Sequence, residues 1–280
     1  MTLDPLPGVQ LRDGRFDWRN STRIALGALL VLDIAVLLFV LSMAHVTSEG
    51  PAKRSLRQSV AILTEVDAYL DDRYEALRLE AFQAAPDDEI ALPDFPIELT
   101  FRAGAIADTD QEEFRALLLD ASAERIHAEG SVVMKADAGA EISFFSPAGA
   151  LRTGMDFLRP TPHRVLTALT IALASAAGVL AAGLVLTARG YGRVLAVGLA
   201  IVLAAAPFAV LAVALRFALR LAAEGLDEYL ATEFLKLAQE LTWAPIRNGL
   251  IFTVGGAVIA AVGVVLANWS DRARRLAPPG

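Results

Sequence analysis

The chain of 280 residues contains no cysteine. This absence excludes disulfide bonds, thiolate metal ligands, cysteine nucleophiles and palmitoylation together. Lysine is also scarce, with three residues against 22 arginines, and histidine occurs three times. Hydrophobic residues, by contrast, make up 55% of the chain, which is more than a soluble domain of this length needs. The composition therefore directs attention to membrane-spanning segments.

Four long apolar runs hold this excess of hydrophobic residues. Each run has 21 to 24 residues, and together they occupy 24–45, 165–188, 194–216 and 249–269. At about 1.5 Å per helical residue, each is long enough to cross a hydrocarbon core of about 30 Å. The sequence therefore predicts an α-helical integral membrane protein with a four-span bundle and the lipid bilayer as its surroundings.

Charges in the segments between the runs predict the orientation. The inner segments would be 1–23, 189–193 and 270–280, which carry nine arginines and four aspartates. The outer segments, 46–164 and 217–248, carry 15 basic and 27 acidic residues. Basic residues concentrate on the cytoplasmic side, so we expect both termini in the cytoplasm. The arginine- and alanine-rich composition is typical of a GC-rich genome and favours a prokaryotic cytoplasmic membrane.

The larger outer segment, 46–164, is predicted to form a mainly helical α+β domain outside the cytoplasm. Its first element is a long helix over about 52–84, in which apolar residues recur at alternating spacings of three and four. These residues are Leu56, Val60, Leu63, Leu70, Tyr74, Leu77 and Ala81, and Asp67 interrupts them. The pattern is typical of an amphipathic helix packed on its own domain or, alternatively, of a dimerising coiled coil.

Further elements of this domain follow from local patterns. Residues 86–96 form a proline- and aspartate-rich connector, and 96–102 alternate between apolar and polar residues as a half-buried strand does. A capping box at 109–112 starts a helix that Gly130 ends. We also expect a second strand at 141–145 and a short helix at 146–158.

The smaller outer segment, 217–248, is predicted to be an acidic amphipathic helix. Its apolar face consists of Leu226, Leu230, Phe234, Leu237 and Leu241. Anionic lipid repels an acidic helix, so we expect this face to pack on the outer domain.

Asp33 is the one carboxylate inside an apolar run, and it lies near the middle of the first span. No arginine lies at its depth, so the carboxyl should be neutral and needs a hydrogen-bond acceptor. Pro207 in the third span frees the carbonyl of Leu203, which lies at the same depth. The sequence therefore predicts an intramembrane polar site of Asp33, Leu203 and Pro207. Its role would be interhelical attachment, proton or ion coupling, or contact with a partner protein.

Small residues recur every four positions in two of the runs. The second run contains Ala174, Gly178 and Ala182, and the fourth contains Gly256 with Ala260 and Gly263 with Ala267. Such ladders allow close approach of helix backbones and favour a compact bundle.

Residues for catalysis or metal binding do not form a recognisable set. His45, His127 and His163 are scattered without a second ligand at metal spacing, and no nucleophile or acid–base motif is present. We therefore expect no enzyme activity, no metal and no cofactor. The acidic outer segments disfavour nucleic acid as a partner.

Two functions remain as hypotheses. The first is a non-enzymatic scaffold or sensor whose outer domain binds a protein or envelope partner or forms a homo-oligomer. The second is a permease-like or transport-associated subunit that uses Asp33. A large first outer segment and a smaller second one are similar to the topology of the cell-division permease of the ABC-transporter class. That resemblance implies a cytoplasmic coupling segment between the second and third spans, whereas 189–193 supplies five residues.

Overall fold

The computed structural model describes residues 18–134, 147–187, 192–225 and 229–276. The predicted strand at 141–145, the turn residues 189–191, Leu226 and both chain ends lie outside these ranges. The fold divides into two compact units. The first comprises the described parts of Met1–Ala35, Ala174–Ala205 and Phe252–Gly280, and the second those of Val36–Leu173 and Ala206–Ile251.

Helices dominate both units. The four helices that carry the apolar runs are α1 (Trp18–Val46), α7 (Pro160–Thr187), α8 (Gly192–Glu224) and α10 (Trp243–Leu276). Each is long and apolar enough to cross a membrane, which confirms the prediction of four spans in a helical membrane protein. The other helices are α2 (Glu49–Thr64), α3 (Val66–Gln83), α4 (Ala103–Ala107), α5 (Gln111–Glu129), α6 (Pro147–Phe157) and α9 (Tyr229–Leu241).

In the first unit, glycines bring α8 and α10 into backbone contact. A Cβ atom on Gly198 would overlap the backbone of Ala260, and one on Gly263 would lie 2.6 Å from the nitrogen of Leu195. The small residues of the fourth run therefore do pack against a neighbouring helix. In the second run, Gly178 differs, since no described neighbouring atom lies within 4 Å of its Cβ position.

The core of the second unit lies between α2, α3 and α5. Leu56, Val60, Leu70 and Leu118 are fully or almost fully buried there, together with Phe114. The heptad residues thus pack inside their own chain, as the first of the two interpretations expects. A coiled coil through this face would need the same surface, which is already covered.

The predicted single helix over 52–84 is in fact two helices. Glu65 separates α2 from α3 and adopts a left-handed conformation with φ 45° and ψ 46°. Residues other than glycine rarely adopt this conformation. Because the residue at the break is a glutamate, and not a glycine or a proline, the sequence does not indicate that the helix ends there.

A small antiparallel sheet completes this core. Its strands are β1 (Glu89–Ala91) and β2 (Thr100–Arg102), in which Ile90 pairs with Phe101. The predicted strand at 96–102 is confirmed at its end, and Ile97 makes a separate bridge to Met134. The proline-rich segment predicted as a connector contributes β1, which the sequence pattern did not indicate.

The helix ends of α5 follow the predicted chemistry with a shift of one residue. Asp110, and not Thr109, is the N-cap, and its side chain accepts a 2.8 Å hydrogen bond from the Glu113 nitrogen. Gly130 ends the helix with φ 91°. The next turn, Ser131–Val133, is held by Asp156 of α6, which accepts hydrogen bonds from the Ser131 nitrogen and hydroxyl.

The segment 217–248 differs from the single amphipathic helix that was predicted. Its first residues continue α8 to Glu224, its middle forms α9, and α10 begins at Trp243. Leu237 of α9 packs with Ile62 of α2, and Phe234 lies against the same cluster. The expected apolar contact between this segment and the first long helical region is therefore present.

Candidate functional site

The predicted intramembrane set is distributed over two helices. Helix α1 carries Asp33, while α8 carries both Leu203 and Pro207. The Oδ2 atom of Asp33 is buried and has no hydrogen-bond partner among the described residues. The hydrogen bond from Asp33 to the Leu203 carbonyl therefore stays a prediction.

Leu203 lines a cavity of about 500 Å³ in the first unit. Its walls come from α1, α7 and α8 and include Gly27, Leu184 and Ala200, with Arg23 as a charged residue. The cavity walls are thus mainly apolar, and a lipid or another helix fits them better than a polar solute does.

A polar contact that the sequence reasoning missed joins α1 to α10. The side-chain amide of Asn248 donates to the Ser42 hydroxyl over 3.2 Å, and Ser42 donates in turn to the Leu38 carbonyl over 2.7 Å. Both side chains are buried. In the sequence, this contact is indicated by the positions of Ser42 and Asn248, which are polar residues at the ends of two apolar runs.

The three histidines make separate contacts. Nδ1 of His163 lies 3.1 Å from both the Thr47 hydroxyl and the Ala44 carbonyl, so this histidine joins α7 to the end of α1. His127 is 2.8 Å from the Leu158 carbonyl. Within the described ranges, no group of three histidine, aspartate or glutamate side chains is placed to hold a metal ion.

Helix α3 presents an unusual outward surface, which we call the α3 face and define as Arg78, Leu79 and Phe82. Leu79 is 61% exposed and Phe82 is 63% exposed. The Arg78 guanidinium lies 5.5 Å from the centroid of the Phe82 ring, within the range of a cation–π contact. The opposite side of α3 carries the buried heptad residues, so the heptad pattern could not have revealed this surface.

A charged groove of about 250 Å³ lies where α2, α5 and α9 meet. Arg115 of α5 donates from Nε and Nη2 to the two carboxylate oxygens of Asp67, the second bond being 3.2 Å. The hydrogen bond from Arg115 lowers the pKa of Asp67 below its ordinary value. Asp67, which interrupted the heptad pattern, thus serves to attach α3 to α5.

Comparison with known proteins adds no further constraint. No protein family, curated protein or solved structure matches the chain. The function must therefore be inferred from the residues themselves.

Proposed function

We propose that the chain is a non-enzymatic multi-pass protein of a prokaryotic cytoplasmic membrane. Both termini would lie in the cytoplasm, and the segments 46–164 and 217–248 would lie outside it. The outer segments would form an α+β domain that binds a protein partner of the cell envelope.

The α3 face is the observation that supports this function. Leu79 and Phe82 are three positions apart on α3, so they are neighbours on the helix surface, and both are mostly exposed. Contiguous exposed apolar side chains mark interaction sites, whereas single ones are common on any surface. Aromatic and arginine side chains are also the types that carry most binding energy at protein interfaces. Because the heptad surface is buried within the chain, the α3 face is the surface that we assign to the partner.

Photo-crosslinking in the native membrane tests this proposal. A photoreactive residue at position 79 or 82 should give a defined protein adduct, while one at the exposed Glu112 of α5 should not. Leu79→Ser is combined with the photoreactive residue at position 82, and Phe82→Ser with the one at position 79. Each serine should reduce the yield of the adduct several-fold without lowering thermal stability. Adducts with lipid alone, or yields that ignore both serine variants, would overturn the assignment.

Orientation is tested separately by chemical labelling. The chain has no cysteine, so single cysteines report one position each. Asp87→Cys should react with an impermeant maleimide in intact cells, and Arg272→Cys should react after permeabilisation. The reverse pattern would contradict the orientation and leave the crosslinking result unaffected.

One observation favours a second candidate function, that of a transport-associated subunit. In the part of the chain that the structure describes, the buried Oδ2 of Asp33 lacks a hydrogen-bond partner, and an ionisable group inside a membrane often marks an ion or proton pathway. Proton or cation flux into proteoliposomes that Asp33→Asn abolishes would support transport. Flux equal to that of empty vesicles would oppose it.

A further inference from the structure

A second cavity in the second unit carries an excess of positive charge. It has a volume of about 240 Å³ and lies between the end of α1, the start of α2, the end of α9 and the start of α10. Its polar lining consists of His45, Arg54, Ser55, Glu240, Trp243 and Arg247.

Arg54 differs from the other basic residues of α2. Lys53 pairs with Glu49 and also contacts Glu124, and Arg57 pairs with Asp120. Arg54, which lines the cavity, has no acidic partner among the described residues. On α2, therefore, Lys53 and Arg57 have carboxylate partners, and the arginine that lines the cavity does not have one among the described residues.

Arg247 also lacks an acidic partner in the described part of the chain. Its Nη2 donates to Nε2 of His45 over 2.8 Å, which fixes the position of the guanidinium and leaves its other N–H groups available. The one carboxylate in the lining, Glu240, accepts a 3.2 Å hydrogen bond from Gln58. The lining thus carries two guanidinium groups against one carboxylate, and neither guanidinium forms an ion pair with a described residue.

The position of the cavity along the helices matches the headgroup region of a bilayer. His45 is close to the end of α1, where the first apolar run ends, and Trp243 begins α10 just before the fourth. Trp243 is 59% exposed. Exposed tryptophans at the ends of spanning helices lie at the level of lipid headgroups.

We propose that this cavity binds the phosphate group of an anionic phospholipid such as phosphatidylglycerol. Guanidinium groups donate two parallel hydrogen bonds to phosphate oxygens, and Arg54 with Arg247 supplies two of them. A zwitterionic headgroup brings its own ammonium group into a cavity that is already positive, so the site favours a headgroup with net negative charge.

Fluorescence quenching by brominated lipids measures this preference in the full chain. Trp18→Phe and Trp269→Phe leave Trp243 as the one tryptophan, since the sequence has three. Vesicles contain phosphatidylcholine with increasing phosphatidylglycerol, and one lipid at a time carries bromine in its acyl chains. We expect phosphatidylglycerol to quench Trp243 more strongly than its mole fraction predicts.

Substitutions of the two arginines then test whether the preference for phosphatidylglycerol arises in this cavity. Arg54→Gln and Arg247→Gln should each lower the relative binding constant for phosphatidylglycerol about fivefold, the effect of one arginine near an anionic surface. Arg164→Gln is the matched control, because Arg164 is exposed at the start of α7 and does not line the cavity. Arg54 makes no ion pair with a described residue, so its variant should fold normally even if Arg247→Gln does not.

Three results would overturn the proposal. The first is equal quenching by the two lipids, and the second is an equal loss of preference in Arg164→Gln. The third is displacement of phosphatidylglycerol by millimolar inorganic phosphate with the same dependence on Arg54. That result would assign the cavity to a soluble anion and not to a lipid.

Discussion

The side-chain amide of Asn248 donates a buried hydrogen bond of 3.2 Å to the hydroxyl of Ser42, although 206 positions separate the two residues. The contact joins the first and last spanning helices, α1 and α10. Polar side chains that meet between helices in a membrane contribute modestly to stability, because the unfolded helices also find partners in the bilayer.

This contact predicts a measurable coupling. In a double-mutant cycle of Ser42→Ala and Asn248→Ala, we expect a coupling free energy of about 0.6 kcal/mol. The free energy of unfolding is measured by denaturant titration in mixed micelles. As a control, Ser42→Ala is combined with Thr153→Val, whose hydroxyl hydrogen-bonds the Gly149 carbonyl within α6. Coupling as large in the control pair would contradict a specific contact.

Gly198 and Gly178 offer a matched pair of helix glycines. A Cβ on Gly198 would overlap the backbone of Ala260, whereas one on Gly178 meets nothing within 4 Å. We expect Gly198→Ala to lower the free energy of unfolding by about 1–3 kcal/mol through separation of α8 from α10. Gly178→Ala should be neutral or stabilising. Equal effects of the two substitutions would mean that α8 and α10 do not touch at Gly198.

Gly130 and Gly154 should respond to alanine with opposite signs. Gly130 has φ 91°, and a Cβ there would lie 2.7 Å from Oδ1 of Asp156, which caps the next turn. Gly130→Ala should therefore lose about 1 kcal/mol or more. Gly154 lies within α6 with open space at its Cβ position, so Gly154→Ala should gain up to about 1 kcal/mol. Thermal unfolding of the purified chain compares the two, and a stabilised Gly130→Ala would contradict the left-handed conformation.

The spanning helices can be predicted from sequence because their apolar runs match the thickness of a bilayer. The buried side of α2 and α3 can be predicted for a similar reason, since a helical period repeats there. The break at Glu65 cannot, because glutamate has no preference for left-handed backbone and tertiary packing imposes it. Strand β1 cannot be predicted either, because three residues in a proline-rich segment are too few to show the alternation of apolar and polar residues that indicates a strand.

The candidate sites differ in the same way. Asp33 is visible in the sequence as a carboxylate inside an apolar run, but nothing local reports whether it has a partner. The α3 face is not visible, because exposure of Phe82 depends on which side of α3 the domain covers. The cavity of Arg54 and Arg247 is lined by helices that are distant in sequence. Its excess of positive charge can be recognised after the ion pairs of the neighbouring basic residues are known.

The Asp67–Arg115 pair predicts a pH dependence of stability. The pKa of Asp67 is lower in the folded chain than in the unfolded chain. The contribution of Asp67 to the free energy of unfolding is therefore fully present above the ordinary aspartate pKa of about 4. It is lost as the pH falls through the lower folded value. Both side chains are partly exposed, so Asp67→Asn should cost about 0.5 kcal/mol at pH 7 and progressively less as the pH falls below about 4. A cost that does not decrease as the pH falls below about 4, or that remains in an Arg115→Gln background, would contradict this origin.

Substitution of Asp33 distinguishes a structural role of this residue from a functional one. Its buried Oδ2 has no hydrogen-bond partner within the described ranges, and a buried polar atom in that state costs free energy. We therefore expect Asp33→Leu to raise the free energy of unfolding by about 1 kcal/mol or more, with Asp33→Asn in between. Micelle titrations of the three proteins measure this order. A hydrogen bond to the Leu203 carbonyl requires the opposite order, in which Asn retains the wild-type stability and Leu loses about 0.6 kcal/mol. A gain in stability on removal of Asp33 would mean that the carboxyl is kept for a role other than holding the helices together.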